Sequence, residues 1–178
     1  MHYHLYVALP ARKSKRIADV TNRCPGQFPA PPHVTLVGPA EMVAGERVPE
    51  FLSALRAAAC TLAPCTIRYS GVAYFGRKQY ICVRVRLTPE LASCQTALAR
   101  TAQRFLKASF QSGYPFRPHI TLAARLFEWE GEAVWRALKN RPFIGAFQFR
   151  EVRVMQQSEP GAPWQLLARL RLAGESSA

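Results

Sequence analysis

Carboxylates are scarce in this chain. Eleven Asp and Glu stand against 24 Lys and Arg, which leaves a net charge of +13 on 178 residues. Long apolar runs are missing too. Every one is broken by charge or proline well short of 18 residues, so no membrane-spanning helix is expected. No helical segment joins a basic face to a Trp/Phe/Leu face, which argues against a membrane-surface protein. The five cysteines (24, 60, 65, 82 and 94) are odd in number and include no C-x-x-C. A disulfide framework and a zinc site are both disfavoured, and thiols in a reducing cytoplasm fit better. The first ten residues have no basic start, greasy run and small-residue cleavage site, so no signal peptide is expected.

What is present is enough apolar residue, 49% of the chain, to bury a core and exclude a disordered polymer. The length suits one domain over residues 1–178, or two intimate lobes, expected as a monomer. The positive field concentrates polyanions around the protein. The same excess also arises in an arginine-rich proteome, so charge alone does not assign a function.

Along the chain, residues 3–9 are apolar and β-leaning, and a short helix with a basic face (Arg12, Lys13, Lys15, Arg16) follows. After a proline-rich loop, His33 to Val37 reads as a strand closed by Gly38-Pro39. Residues 48–62 carry apolar side chains at helical spacing. Thr66–Tyr69 and Val72–Phe75 read as two short strands, and Tyr80–Leu87 as an alternating one. Thr88-Pro89 opens a helix expected to reach about Gln111, with Thr as N-cap and Pro in the first turn. A second proline-guarded strand begins at His119. A helix is expected around 132–139, then strands near 147–155 and 165–172. Pro32-His33-Val34-Thr35-Leu36 thus recurs as Pro118-His119-Ile120-Thr121-Leu122. A repeat this sparse suggests two pseudo-symmetric lobes rather than a solenoid.

Side chains at i and i+2 of a strand share a face. His33 pairs with Thr35 on one side, with Val34 and Leu36 on the other, and His119 with Thr121 likewise. A lone His-x-Thr carries no information, but two in matching proline-preceded strands, in a chain with four histidines, do. Phosphodiester hydrolysis needs a base to activate water and an acid to protonate the leaving oxygen, and histidine, with an ordinary pKa of about 6.5, serves as either. A threonine hydroxyl beside each can donate to the charged non-bridging oxygens of the transition state. Two histidines leave a zinc site short of ligands, so no metal is expected.

These motifs, their separation and the element order resemble the two-histidine (2H) phosphoesterase superfamily. Within it the chain is most similar to the 2′-5′ RNA ligases, also called RNA 2′,3′-cyclic phosphodiesterases. Residues 5–10, 116–122 and Val154 to Gly161 with Trp164 add to the likeness. The resemblance implies an α+β, bilobal fold, with two pseudo-symmetric lobes whose antiparallel sheets line a central cleft and whose helices lie on the outer faces. It implies His119 as general base and His33 as general acid, exchanged in the ligating direction. It implies RNA or a nucleotide cyclic phosphate as partner, and neither a metal nor a nucleotide cofactor. Two positions depart from the family: His4 stands where relatives usually carry arginine, and Arg125 comes three residues after Leu122 rather than two.

Parity extends the candidate site. Tyr6, on a face with His4 and Ala8, could stack on a base. Arg84 lies on the polar face of its strand, which reads equally as solvated surface. Phe116 and Arg117 adjoin the second motif, and Phe116 reads equally as core. Trp129, Trp135 and Trp164 are expected to pack in the core or the closing hairpin. Two other functions compete: a 2H enzyme for small cyclic phosphates or 2′-5′ oligoadenylates, and a non-catalytic RNA-binding module.

Overall fold

A computed structural model describes residues 1–25, 31–43, 47–75, 80–108 and 115–174. Its elements are β1 (His2–Ala8), α1 (Ala11–Thr21), β2 (His33–Glu41), α2 (Val48–Cys60), β3 (Cys65–Phe75) and β4 (Tyr80–Val85). There follow α3 (Pro89–Gln103), β5 (His119–Ala123), α4 (Glu128–Leu138), β6 (Ile144–Phe149), β7 (Glu151–Gln157) and β8 (Gln165–Arg171). The eight strands form one sheet in the order β6-β3-β4-β5-β2-β1-β7-β8, antiparallel throughout and curled into a half-barrel.

The sheet is two four-stranded wings, β6-β3-β4-β5 and β2-β1-β7-β8. They meet at β2 and β5 through the pair Val34↔Ile120. Exchanging β1-α1-β2 for β4-α3-β5 maps one wing on the other, so the expected pseudo-symmetric lobes are the halves of one continuous sheet. The apolar members of each strand face the helices. Val34, Leu36, Ile81, Val83, Ile120, Leu122, Val152, Val154 and Leu170 are buried there, with Phe51 and Leu55 of α2 and Leu91 and Leu98 of α3. The opposite, concave face carries the polar members.

Thr88 caps α3 through Leu91 N–H to Oγ1, with Pro89 in the first turn. Boundaries differ from the sequence expectation for tertiary reasons. Gly38-Pro39 does not close β2. Beyond Val34 no pairing joins β2 to β5 among the described residues, so a proline on that side removes no ladder bond. Residues 65–75 are one strand, with a bulge at Ser70-Gly71 where Gly71 takes φ +69°. The helix begun at Pro89 stops at Gln103, because the chain beyond it pairs with the end of β2 through Lys107 N–H to Glu41 O and Val43 N–H to Phe105 O. Residues 109–111, where the periodicity places its end, lie outside the described residues. α4 starts at Glu128, where Glu130 reaches back to accept from Phe127 N–H at 2.8 Å.

Candidate active site

The two motifs meet where the wings join. With Val34 opposite Ile120 in an antiparallel pair, His33 stands across from Thr121 and Thr35 across from His119. The four side chains therefore occupy the corners of a quadrilateral on the concave face, the histidines on one diagonal and the threonines on the other. Diagonal neighbours in such a ladder lie about 7–8 Å apart, a span that brackets one phosphate group.

Both rings are held in the same way. His33 Nδ1–H donates to Pro31 O at 2.8 Å, and His119 Nδ1–H donates to Arg117 O at 2.8 Å. Each acceptor belongs to the residue before a proline, which is confined to extended conformations. The proline of each motif thus fixes the carbonyl that orients its histidine. A carbonyl only accepts, so Nδ1 carries the proton and Nε2 is the basic nitrogen of each ring.

Burial holds the pKa of His33 below the ordinary histidine value. The Pro31 hydrogen bond works against that shift, and the nearby His119 adds to it. Burial lowers His119 as well, opposed by its bond to the Arg117 carbonyl. Both imidazoles are therefore poised neutral near pH 7, and a bound phosphate anion is what would favour a second proton on the pair.

A third histidine completes the cluster. His4 Nε2 and Thr35 Oγ1 share a hydrogen bond of 3.0 Å. The His4 ring stands edge-on to His33 (5.3 Å between centroids) and to Trp164 (5.5 Å), and Tyr6 lies over His33 at 4.5 Å. Buried in this aromatic setting and beside His33, His4 is pushed down to about 3. It is a neutral, fixed partner of Thr35. Cys82 lies across from Thr121, but burial drives its thiol up to about 12, so it is no nucleophile at neutral pH. Among the described residues, no three His, Cys, Asp or Glu side chains gather where they could hold a metal ion.

A family model described as the 2′-5′ RNA ligase superfamily matches residues 9–161. The chain belongs to this superfamily. The match covers most of the sequence, including both His-x-Thr-Leu motifs, and the resemblance read from those motifs is borne out. Solved structures with the same fold include TT0787 of Thermus thermophilus, at a TM-score of 0.74 and 20% identity, covering 99% of this chain and 100% of that one. LigT of E. coli complexed with 3′-AMP aligns at 0.69 and 21%, covering 96% and 97%. A protein described as a phosphoesterase aligns at 0.64 and 21%, covering 96% and 98%. No curated protein matches the sequence.

The other candidates of this 2′-5′ RNA ligase superfamily protein fall at different places. Arg84 stands directly across from His119. Its guanidinium lies over the β3 bulge, where a Cβ on Gly71 would meet Nη2 at 2.9 Å, so the glycine makes its room. Tyr6 is only 4% exposed, because its ring is against His33. Phe116 packs against the core, while Arg117 is exposed and lends its carbonyl to His119. Arg125 follows the strand that carries His119. It lies two residues past the end of β5, roughly 13 Å of strand from its start, in the left-handed region at φ 57°. The Arg16 end of α1 forms a cleft with Arg23 and Arg141 on the helix side of the sheet. Trp135 stacks on Tyr74, and Trp129 is 72% exposed rather than packed. His4 and Trp164 are the site residues that sequence reasoning did not single out. Strand parity with Tyr6 and the departure from the family's usual arginine were the signals for His4.

Proposed function

We propose that this protein is a metal-independent phosphodiesterase that opens RNA 2′,3′-cyclic phosphate ends and, in reverse, joins RNA through 2′-5′ linkages. The observation that supports this most is the matched pair of histidines, each held at Nδ1 by a backbone carbonyl, which makes Nε2 the basic nitrogen of both rings. In hydrolysis, His119 Nε2 takes a proton from water as its oxygen bonds to phosphorus. His33, which takes a second proton at Nε2 when the phosphate anion binds, gives that proton to the ribose oxygen as the P–O bond breaks. The pair ends with the same number of protons, exchanged between rings, and the reverse direction uses the exchanged state. Thr35 and Thr121 donate to the non-bridging oxygens, with His4 fixing the Thr35 hydroxyl.

The test is an RNA oligonucleotide ending in a 2′,3′-cyclic phosphate, incubated with chelator present, with the product phosphate identified by mass spectrometry and phosphorus NMR. Wild type is expected to open the ring, and His33→Ala and His119→Ala to lose that activity. A p-nitrophenyl ester, whose leaving group needs no proton, should partly rescue His33→Ala and not His119→Ala. Rescue of His119→Ala alone would reverse the two roles. A cyclic end and a 2′-5′ linkage both left intact by wild type would overturn the proposal.

A further inference from the structure

The registers define a row of side chains that crosses the concave face beyond the histidine cluster. Arg84 is opposite His119, and Tyr6 is opposite Thr35 on one side and Arg153 on the other. Arg153 is in turn opposite Arg169. Their strand neighbours Val152, Val154 and Leu170 are buried on the helix side, so both arginines belong to the face that holds the histidines. At strand spacings of about 4.8 Å, Arg153 lies roughly 10 Å and Arg169 roughly 14 Å from Thr35 across the sheet.

Glu151 binds the two arginines together. Arg169 donates from Nη1 to Glu151 Oε1 at 3.1 Å, and Arg153 Nε is 3.5 Å from the same oxygen. Arg153 Nε is nonetheless buried and makes no hydrogen bond among the described residues. A buried guanidinium N–H left unmatched costs free energy unless a further acceptor meets it. Arg171 stands across from Glu151 in the β7–β8 register. Two guanidiniums held by one carboxylate keep most of their N–H groups available, in the planar fork that suits phosphate.

We propose that Arg153 and Arg169, tied together by Glu151, form a second phosphate subsite on β7 and β8 that holds the backbone of an RNA strand away from the reacting phosphate. The inference rests on the phosphodiesterase reading for the identity of the ligand, and it makes the substrate a polynucleotide rather than a mononucleotide.

The test is binding of a 5′-fluorescein-labelled octauridylate with a 3′-phosphate, read by anisotropy over a salt series, so that no turnover is needed. R153Q/R169Q should weaken binding about tenfold or more, since each charge-assisted hydrogen bond removed contributes on that scale. It should also reduce the log–log salt slope by about 0.7 for each phosphate that the variant no longer neutralises. R56Q/R100Q removes the same charge from exposed positions of α2 and α3, and should weaken binding less than about twofold. Glu151→Gln should tighten binding, an effect of opposite sign that misfolding does not produce. The subsite is overturned if R153Q/R169Q binds like wild type, if R56Q/R100Q loses as much, or if Glu151→Gln weakens binding. Should R153Q/R169Q lose affinity while wild type leaves cyclic ends intact, the subsite stands and the catalytic reading falls.

Discussion

Acid should unmask His4. In the folded protein its ring is buried against His33, Tyr6 and Trp164 and is held to about 3, while in the unfolded chain it titrates near 6.5. Below 6.5 the unfolded state therefore binds a proton that the folded state refuses. Stability from this residue is complete above 6.5 and is lost as pH falls toward the folded value. Each pH unit in that window corresponds to about 1.36 kcal/mol, so the two units down to pH 4.5 correspond to about 2.7 kcal/mol. His33 and His119 act in the same sense, and carboxylates contribute as well, so the wild type alone does not isolate His4. His4→Gln removes the titration and keeps a side chain able to hydrogen-bond Thr35. Urea unfolding of both proteins at pH 7.5 and 4.5 is the assay. Wild type should lose about 2.7 kcal/mol more than His4→Gln between those conditions. Parallel losses, within about 0.5 kcal/mol, would refute the claim that His4 is buried neutral.

The kcat/KM profile on a cyclic-phosphate RNA should be a bell centred on the acid side of 6.5, because burial lowers both His33 and His119. The limbs belong to the pair, and two limbs above pH 7 would contradict the burial argument. Thr35→Ala and Thr121→Ala should each slow turnover by up to about 10²–10³-fold, with the unfolding midpoint kept in Thr121→Ala and lowered in Thr35→Ala, which takes the partner from buried His4 Nε2; near-wild-type rates in both would make the threonines structural. Activity should survive EDTA, and full loss restored by a divalent ion would argue for metal chemistry.

Much of the site was legible because strand alternation is local. Period two in Pro32–Leu36 and Pro118–Leu122 is enough to put Val34 and Ile120 in the core, and His33, Thr35, His119 and Thr121 on the other face. The proline before each histidine was visible, but its effect on the carbonyl two residues upstream is a matter of backbone geometry. The helical periodicity of 48–62 likewise located α2 within two residues. What stayed hidden depends on which strand lies beside which. Nothing near His4 reveals that it reaches Thr35, nor anything near Arg153 that Tyr6 and Arg169 flank it. Residues 147–155 alternate well enough to pass for one strand. The break at Arg150 exists because β6 ends one wing and β7 crosses to the other. Gly38-Pro39 misled because a turn signal presumes neighbours on both edges.

The division of the sheet sets an order of assembly. Cys65 to Phe149 is an uninterrupted stretch that contains every strand of one wing, so its pairings close over moderate separations. The other wing is built from both ends of the described chain, with His2 paired to Gln157 and Tyr6 to Arg153. Closing so long a loop is slow and comes late in folding. On a ribosome, His119 would sit on a wing already formed while β1 and β2 wait for β7 and β8 to emerge. A chain stalled before residue 151 would thus carry both histidines and still lack β7 and β8, leaving the edge of β1 open to aggregation.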